Sequence, residues 1–186
     1  MGADQLTKNM TMQEILAVFP GAQRALFSRY HIGGCSSCGF QPTETLEHVC
    51  ASHNIPDIEE VVGYLVQSRE RERNIQIRPE ELASALKAGQ KLQLLDVRTP
   101  EEHTIARIEG ARLVTEALAR EVVERWPKDT PIVLHCHLGE RSMEAAFFLI
   151  GQGFTNVRSL AGGIDAWSAQ VDPTVPRYAA APAHSK

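Results

Sequence analysis

Ile132-Val133-Leu134-His135, followed by Cys136-His137-Leu138-Gly139-Glu140-Arg141-Ser142, is the stretch that decides the fold. Its first part is a short, continuous apolar run, the grammar of a strand buried on both faces. Gly139 then allows a sharp turn, and Ser142 to Gln152 reads as an apolar helix. Strand, tight loop and helix together make half of a crossover unit. In open parallel sheets, sites lie beyond the carboxyl ends of the strands. Cys136 stands at that place.

The same grammar extends both ways. Ile75 to Ile77 reads as a short strand, and Pro79 to Gly89 as a helix with proline in its first turn and glycine at its end. Leu92 to Val97 is a buried-type strand and Ala111 to Val114 a short one. Glu116 to Arg125 is a helix, Val157 to Leu160 the last strand, and Gly163 to Ala169 a closing helix. Strands alternating with helices predict a parallel sheet covered on both faces. Residues 172–186 read as a flexible tail.

The loop also carries chemistry. A thiol between a strand and a helix N-terminus faces backbone N–H groups, which stabilise an anion and favour the thiolate. Arg141 adds positive charge, and His135 or His137 is a candidate for more. The same cradle suits a persulfide or an oxyanion. The bland reading, an inert thiol at a strand end, fits a lone cysteine better than one before Gly-Glu-Arg-Ser. His135 reads as a packed strand residue rather than a base.

Three motifs in order resemble a single rhodanese domain over residues 75–171. Leu95-Asp96-Val97-Arg98-Thr99-Pro100-Glu101-Glu102 with Gly110-Ala111 is similar to that family's first signature. His135 to Ser142 is similar to its active-site loop, and Leu160-Ala161-Gly162-Gly163-Ile164-Asp165-Ala166-Trp167 to its closing signature. The resemblance implies transfer of sulfane sulfur, from a donor such as thiosulfate, through a persulfide on Cys136. His137, Leu138, Gly139, Glu140, Arg141 and Ser142 would form the cradle, and Asp96 and Arg98 would brace the sheet end. It implies no cofactor and no metal for this step. One departure is Ala106-Arg107-Ile108, where the family often has Gly-His-Ile; it removes a histidine and adds a positive charge. The loop is one residue shorter than a cysteine-phosphatase loop, and Glu140 would repel a phosphate dianion. Phosphatase or arsenate reductase chemistry is therefore the minor alternative.

Residues 4–72 have a different, helical grammar. Thr11-Met12-Gln13-Glu14 is a capping-box pattern opening a short helix with Ile15, Leu16, Val18 and Phe19. Pro20 interrupts it, and a second helix with Ala22, Ala25, Leu26 and Phe27 inward runs to about Tyr30. A third follows Thr43 with Leu46, Val49 and Cys50 on one face. A fourth opens at Asp57 and carries Val61, Val62, Tyr64, Leu65 and Val66. Arg69 to Arg73 reads as a solvated helix end and linker.

Between the second and third helices lies Cys35-Ser36-Ser37-Cys38, with the spacing of redox dithiols and metal half-sites. Cys50, with His31, His48 or His53, could complete a zinc set on paper, but its place on an apolar face predicts core packing. This half resembles a small helical family associated with hybrid-cluster proteins and described as disulfide-reductase-like. That resemblance implies a redox pair at Cys35 and Cys38. The runner-up reading of the whole chain is a non-catalytic or weakly catalytic sulfur or redox adaptor whose helical domain binds a metal or iron–sulfur centre.

Composition bounds the rest. The chain has 186 residues, 43% hydrophobic and 23% charged, with net charge −4 and ordinary glycine and proline content. That excludes a collagen-like or wholly disordered chain. No basic stripe suggests nucleic acid, no apolar run is long enough to span a membrane, and the start shows no signal pattern. Four cysteines without that pattern predict reduced thiols in the cytoplasm. The expected partners are a small-molecule sulfur donor and a thiol acceptor, either a small thiol or a thioredoxin-like protein.

Overall fold

A computed structural model of the chain describes residues 6–33 and 39–179. Cys35 and Cys38 lie outside the described residues. The chain divides into two units, Met1–Asn74 and Ile75–Lys186.

The first unit is helical. Helix α1, Met12–Val18, opens on a capping box in which Thr11 and Glu14 satisfy each other's backbone N–H groups. Helix α2, Ala22–Tyr30, ends on His31 in the left-handed conformation. Helix α3, Leu46–Ser52, is capped by Thr45, and helix α4 runs over Ile58–Ile75. Met12, Ile15, Phe19, Leu26, Ile32, Leu46, Val49, Cys50, Val61 and Leu65 make one buried cluster.

Cys50 is fully enclosed there, and burial pushes its thiol pKa up. A protonated thiol among aliphatic side chains is a core residue rather than a ligand. Among the described residues no group of His, Cys, Asp and Glu is placed to hold a metal.

Two expectations for this unit need correction. Phe27 faces outward, 51% exposed, because Ala22, Ala25 and Leu26 already fill the inward stripe of α2. The Arg69–Arg73 run is a helix end as expected, with Glu70, Arg71 and Arg73 exposed, but it is not solvated throughout: Arg69 is buried and Glu72 pairs with Arg24.

The second unit is a five-stranded, all-parallel sheet in the order β1-β5-β4-β2-β3. The strands are β1 Gln76–Ile77, β2 Gln93–Asp96, β3 Arg112–Leu113, β4 Ile132–His135 and β5 Val157–Leu160. Helices α5 Pro79–Lys87 and α9 Gly163–Gln170 contribute Leu82, Ala83, Ile164 and Trp167 to one core cluster. Helices α7 Glu116–Arg125 and α8 Glu140–Gly151 contribute Leu118, Val122, Ala146 and Leu149 to another. The sheet is thus covered on both faces, which is why β4 is buried at every residue.

Short α6, Pro100–Ile105, follows β2 and opens on a Thr99–Glu102 capping box. Helix α8 begins at Glu140, ahead of the expected Ser142, because Gly139 at φ 101° turns the chain directly into it. The expected flexible tail is held in part. Val175 is buried, its carbonyl accepts from Ser168, and Arg177 pairs with Asp165. No helix among the described residues is long and apolar enough to cross a membrane.

Candidate active site

Cys136 follows the end of central strand β4 and is 1% exposed. Its Sγ accepts from the Gly139 N–H at 3.1 Å. The Ser142 hydroxyl lies 3.5 Å from the same sulfur, on the first turns of α8. Ser142 also meets Ser159 of β5 at 2.9 Å, so a strand hydroxyl supports one on the helix. If Ser159 donates to Ser142, the Ser142 proton is left for the sulfur or for the Gly139 carbonyl, 3.1 Å away.

The loop is shaped from behind by α9. Ile164 N–H donates to the Cys136 carbonyl at 2.8 Å, and Asp165 N–H to the His137 carbonyl at 3.2 Å. Peptide planarity then turns the N–H groups of His137 and Leu138 away from α9. Gly163 makes this approach possible: a Cβ there would collide with the carbonyls of both Cys136 and His137. Gly139 has a similar duty, since a Cβ would press on Gly162 N at 3.2 Å.

The remaining loop residues divide by exposure. Leu138 is 52% exposed, Glu140 and Arg141 are exposed, and His137 is buried. Arg141 donates through both terminal nitrogens to Glu102 of α6, at 2.7 and 2.6 Å. This pair holds the Glu102 carboxyl down at about 2 and raises the Arg141 guanidinium. The positive charge expected of Arg141 is present, but a carboxylate already sits on it.

Asp96 and Arg98 form a buried ion pair at the end of β2. Arg98 donates to both Asp96 oxygens, at 2.9 and 2.6 Å, to the Ala106 and Glu102 carbonyls, and to the Tyr178 hydroxyl at 2.8 Å. Every N–H of the guanidinium is used. Burial alone would raise the Asp96 pKa. The Arg98 hydrogen bonds and the facing His135 and His103 outweigh it and hold Asp96 low. His103 Nδ1 lies 2.8 Å from Asp96.

Burial pulls His135 down to about 4, against the opposing pull of Asp96 at 3.8 Å. It is therefore neutral near pH 7 and adds no positive charge to the loop, contrary to one of the two options the sequence offered. Arg107, in the departing Ala-Arg-Ile stretch, is exposed between buried Ala106 and Ile108.

Three residues of this site were not found from the sequence. Ser159 could have been suspected as a small polar residue in a buried strand. His103 directly follows the Leu95–Glu102 motif but gave no separate signal. Tyr178 lay in the expected tail. Its ring stacks on His137 at 4.1 Å between centroids and 11° between planes, and its hydroxyl lies 3.1 Å from Glu102.

The chain is similar to several known proteins. A "Probable adenylyltransferase/sulfurtransferase MoeZ" of Mycobacterium tuberculosis is 40% identical over 104 residues, which is 55% of this chain and 26% of the relative. This chain thus spans about a quarter of the length of that protein. A "Thiosulfate sulfurtransferase GlpE" of Pseudomonas putida is 32% identical over 91 residues, 49% of this chain and 83% of the relative. A rhodanese-like domain protein of Staphylococcus aureus, known as a crystal structure, superposes at TM-score 0.45 and 26% identity, over 56% of this chain and 98% of that one. The model of the rhodanese-like domain matches residues 78–170, which include Cys136 and its whole loop, and this chain belongs to that family.

Proposed function

We propose that the chain is a sulfurtransferase that carries sulfane sulfur as a persulfide on Cys136. The observation that carries this reading is the Gly139 N–H aimed at Cys136 Sγ inside the loop between β4 and α8. A donor there stabilises negative charge on sulfur, both on the thiolate and on the terminal sulfur of a persulfide. The "sulfurtransferase" in the names of two relatives supports it.

In the first half-reaction the Cys136 thiolate attacks the outer sulfur of a donor such as thiosulfate. A new S–S bond forms, the donor's S–S bond breaks, and its electron pair leaves with sulfite. In the second, an acceptor thiolate takes the outer sulfur as its own persulfide and returns the Cys136 thiolate; cyanide would leave as thiocyanate. Ping-pong kinetics follow.

Acceptors of this chemistry are a small thiol or a thioredoxin-like protein. The Cys35–Cys38 pair is a further acceptor, or the reductant of the persulfide, and tethering would raise its effective concentration. Its spacing and the resemblance of residues 4–72 support that role. Free thiols suit a reducing cytoplasm.

Incubation with thiosulfate should add the mass of one sulfur atom to the Cys136 peptide of the wild type and not of Cys136→Ser. Absence of that addition under thiosulfate and under low-molecular-mass persulfides would overturn the reading. Turnover of an aryl phosphate or arsenate that depends on Cys136 would replace it.

A further inference from the structure

We propose that Tyr178 is a positioning residue for Cys136, brought to the site by the segment that follows α9. This rests on the reading of Cys136 as the sulfur carrier. Tyr178 lies beyond residues 78–170, the part of the chain that matches the family. Nothing in the three motifs calls for it, yet it touches the site at three points.

Its hydroxyl accepts from Arg98 Nη1 at 2.8 Å and lies 3.1 Å from Glu102 Oε1. A phenol has one proton to give and lone pairs to accept with, so it takes from the guanidinium and gives to the carboxylate. Tyr178 thereby joins the side chains of two ion pairs, which also meet where Arg98 donates to the Glu102 backbone carbonyl at 3.3 Å. One is the Asp96–Arg98 pair at the end of β2. The other is the Glu102–Arg141 pair, whose arginine closes the Cys136 loop. Its ring supplies the third point by stacking on His137, the residue directly after Cys136.

The segment that delivers Tyr178 is itself anchored. Val175 is 8% exposed and its carbonyl accepts from Ser168 of α9. Arg177 grips Asp165 with two hydrogen bonds, at 2.7 and 2.8 Å. Asp165 is also the residue whose N–H holds the His137 carbonyl. So His137 is fixed on its backbone by α9 and on its ring by Tyr178, and both supports meet at Asp165–Arg177. A loop that must present a backbone N–H to sulfur at a set distance depends on such supports, because small misplacements of reacting groups cost rate.

The test compares wild type, Tyr178→Phe and Tyr178→Ala in the full chain. Tyr178→Phe keeps the ring and loses the bridge between the ion pairs; Tyr178→Ala loses both. The first readout is the rate at which thiosulfate loads sulfur on Cys136, resolved into kcat and KM. The second is alkylation of Cys136 by iodoacetamide, located by peptide mass, which needs no sulfur transfer.

The expected result is a kcat for loading reduced about tenfold in Tyr178→Ala, with KM nearly unchanged. Tyr178→Phe should recover part of it, and the alkylation rate should move in the same order. A structural role alone would lower the melting temperature and leave the rates of the folded protein untouched. Wild-type loading and alkylation rates in folded Tyr178→Ala would overturn the inference. If the wild type takes up no sulfur, the proposed function fails, and the alkylation series alone decides the role of Tyr178. Should Tyr178→Ala not fold, Tyr178→Phe decides it by the same two rates.

Discussion

Both terminal nitrogens of Arg141 lie on the carboxylate of Glu102, at 2.7 and 2.6 Å. The arginine closes the loop that begins at Cys136, and the glutamate sits in the first turn of α6. An anionic sulfur donor that uses Arg141 must therefore compete with a carboxylate already in place.

Glu102→Gln tests that competition. The substitution keeps the shape and one hydrogen bond and releases a full positive charge at the loop. The KM for thiosulfate, a dianion, should fall about threefold, and the advantage should vanish in high salt. A rise in KM together with a fall in kcat would show that Glu102 serves the loop's shape instead. The same pair has an acid signature. Glu102 is held down at about 2 from an ordinary 4.5. Its contribution to stability is therefore complete above about 4.5 and lost as pH falls towards about 2. With Arg141 44% exposed, solvent screening leaves about 1 kcal/mol. Chemical denaturation from pH 5 downward should show that much less acid sensitivity in Glu102→Gln.

His135 gives a second pH signature of the same sign at higher pH. Burial drops it to about 4 from 6.5, so the unfolded chain binds the proton more readily than the folded one. Stability from this source is complete above about 6.5 and drains away as pH falls towards about 4. Between pH 7 and pH 5 the loss should be about 2 kcal/mol. Denaturant unfolding at the two pH values measures it. His135→Leu should flatten this interval; an unchanged slope would place the proton uptake elsewhere.

Gly163 and Gly110 make a matched pair for the loop's backing. Both have positive φ, 60° and 79°. A Cβ on Gly110 meets nothing within 4 Å, whereas one on Gly163 collides with the carbonyls of Cys136 and His137. Gly110→Ala should cost only the conformational penalty, about 1 kcal/mol. Gly163→Ala must also push the loop off α9, costing about 3 kcal/mol and lowering sulfur loading in the folded fraction. Equal melting temperatures for the two variants would contradict the close approach.

The sheet was legible because its signals are local. Val157–Leu160, Ile132–His135 and Glu116–Arg125 appear with the bounds the residues suggested. Apolar runs bounded by glycine and polar residues leave few alternatives. Helix α6 was not assigned, although its Thr99–Glu102 capping box was visible, because six residues show too little periodicity. The place of Cys136 was also legible: a cysteine directly after a strand of a parallel sheet stands at its carboxyl end. What surrounds the sulfur was not. Ser159 of β5 reaches Ser142 of α8 across 17 positions, and Tyr178 reaches Arg98 across 80. Such contacts depend on where the chain returns, and no short window of sequence contains both partners. Phe27 misled for the opposite reason: its position on α2 fits an inward stripe that smaller neighbours had already filled.

The serine pair offers the most direct measure of how the Cys136 sulfur is held. Ser142 Oγ stands 3.5 Å from Cys136 Sγ and 2.9 Å from Ser159 Oγ, all buried. Ser142→Ala removes a donor to the sulfur and should slow both sulfur loading and alkylation of Cys136 about fivefold, the equivalent of about 1 kcal/mol. Ser159→Ala acts one step further away. It removes the hydrogen bond that Ser159 gives to Ser142, which makes the Ser142 hydroxyl a weaker donor to the sulfur. Its effect should be smaller and of the same sign, and the double variant should be no slower than Ser142→Ala, since both act through one hydroxyl. Effects that simply multiply would show that Ser159 serves Cys136 by a route other than Ser142.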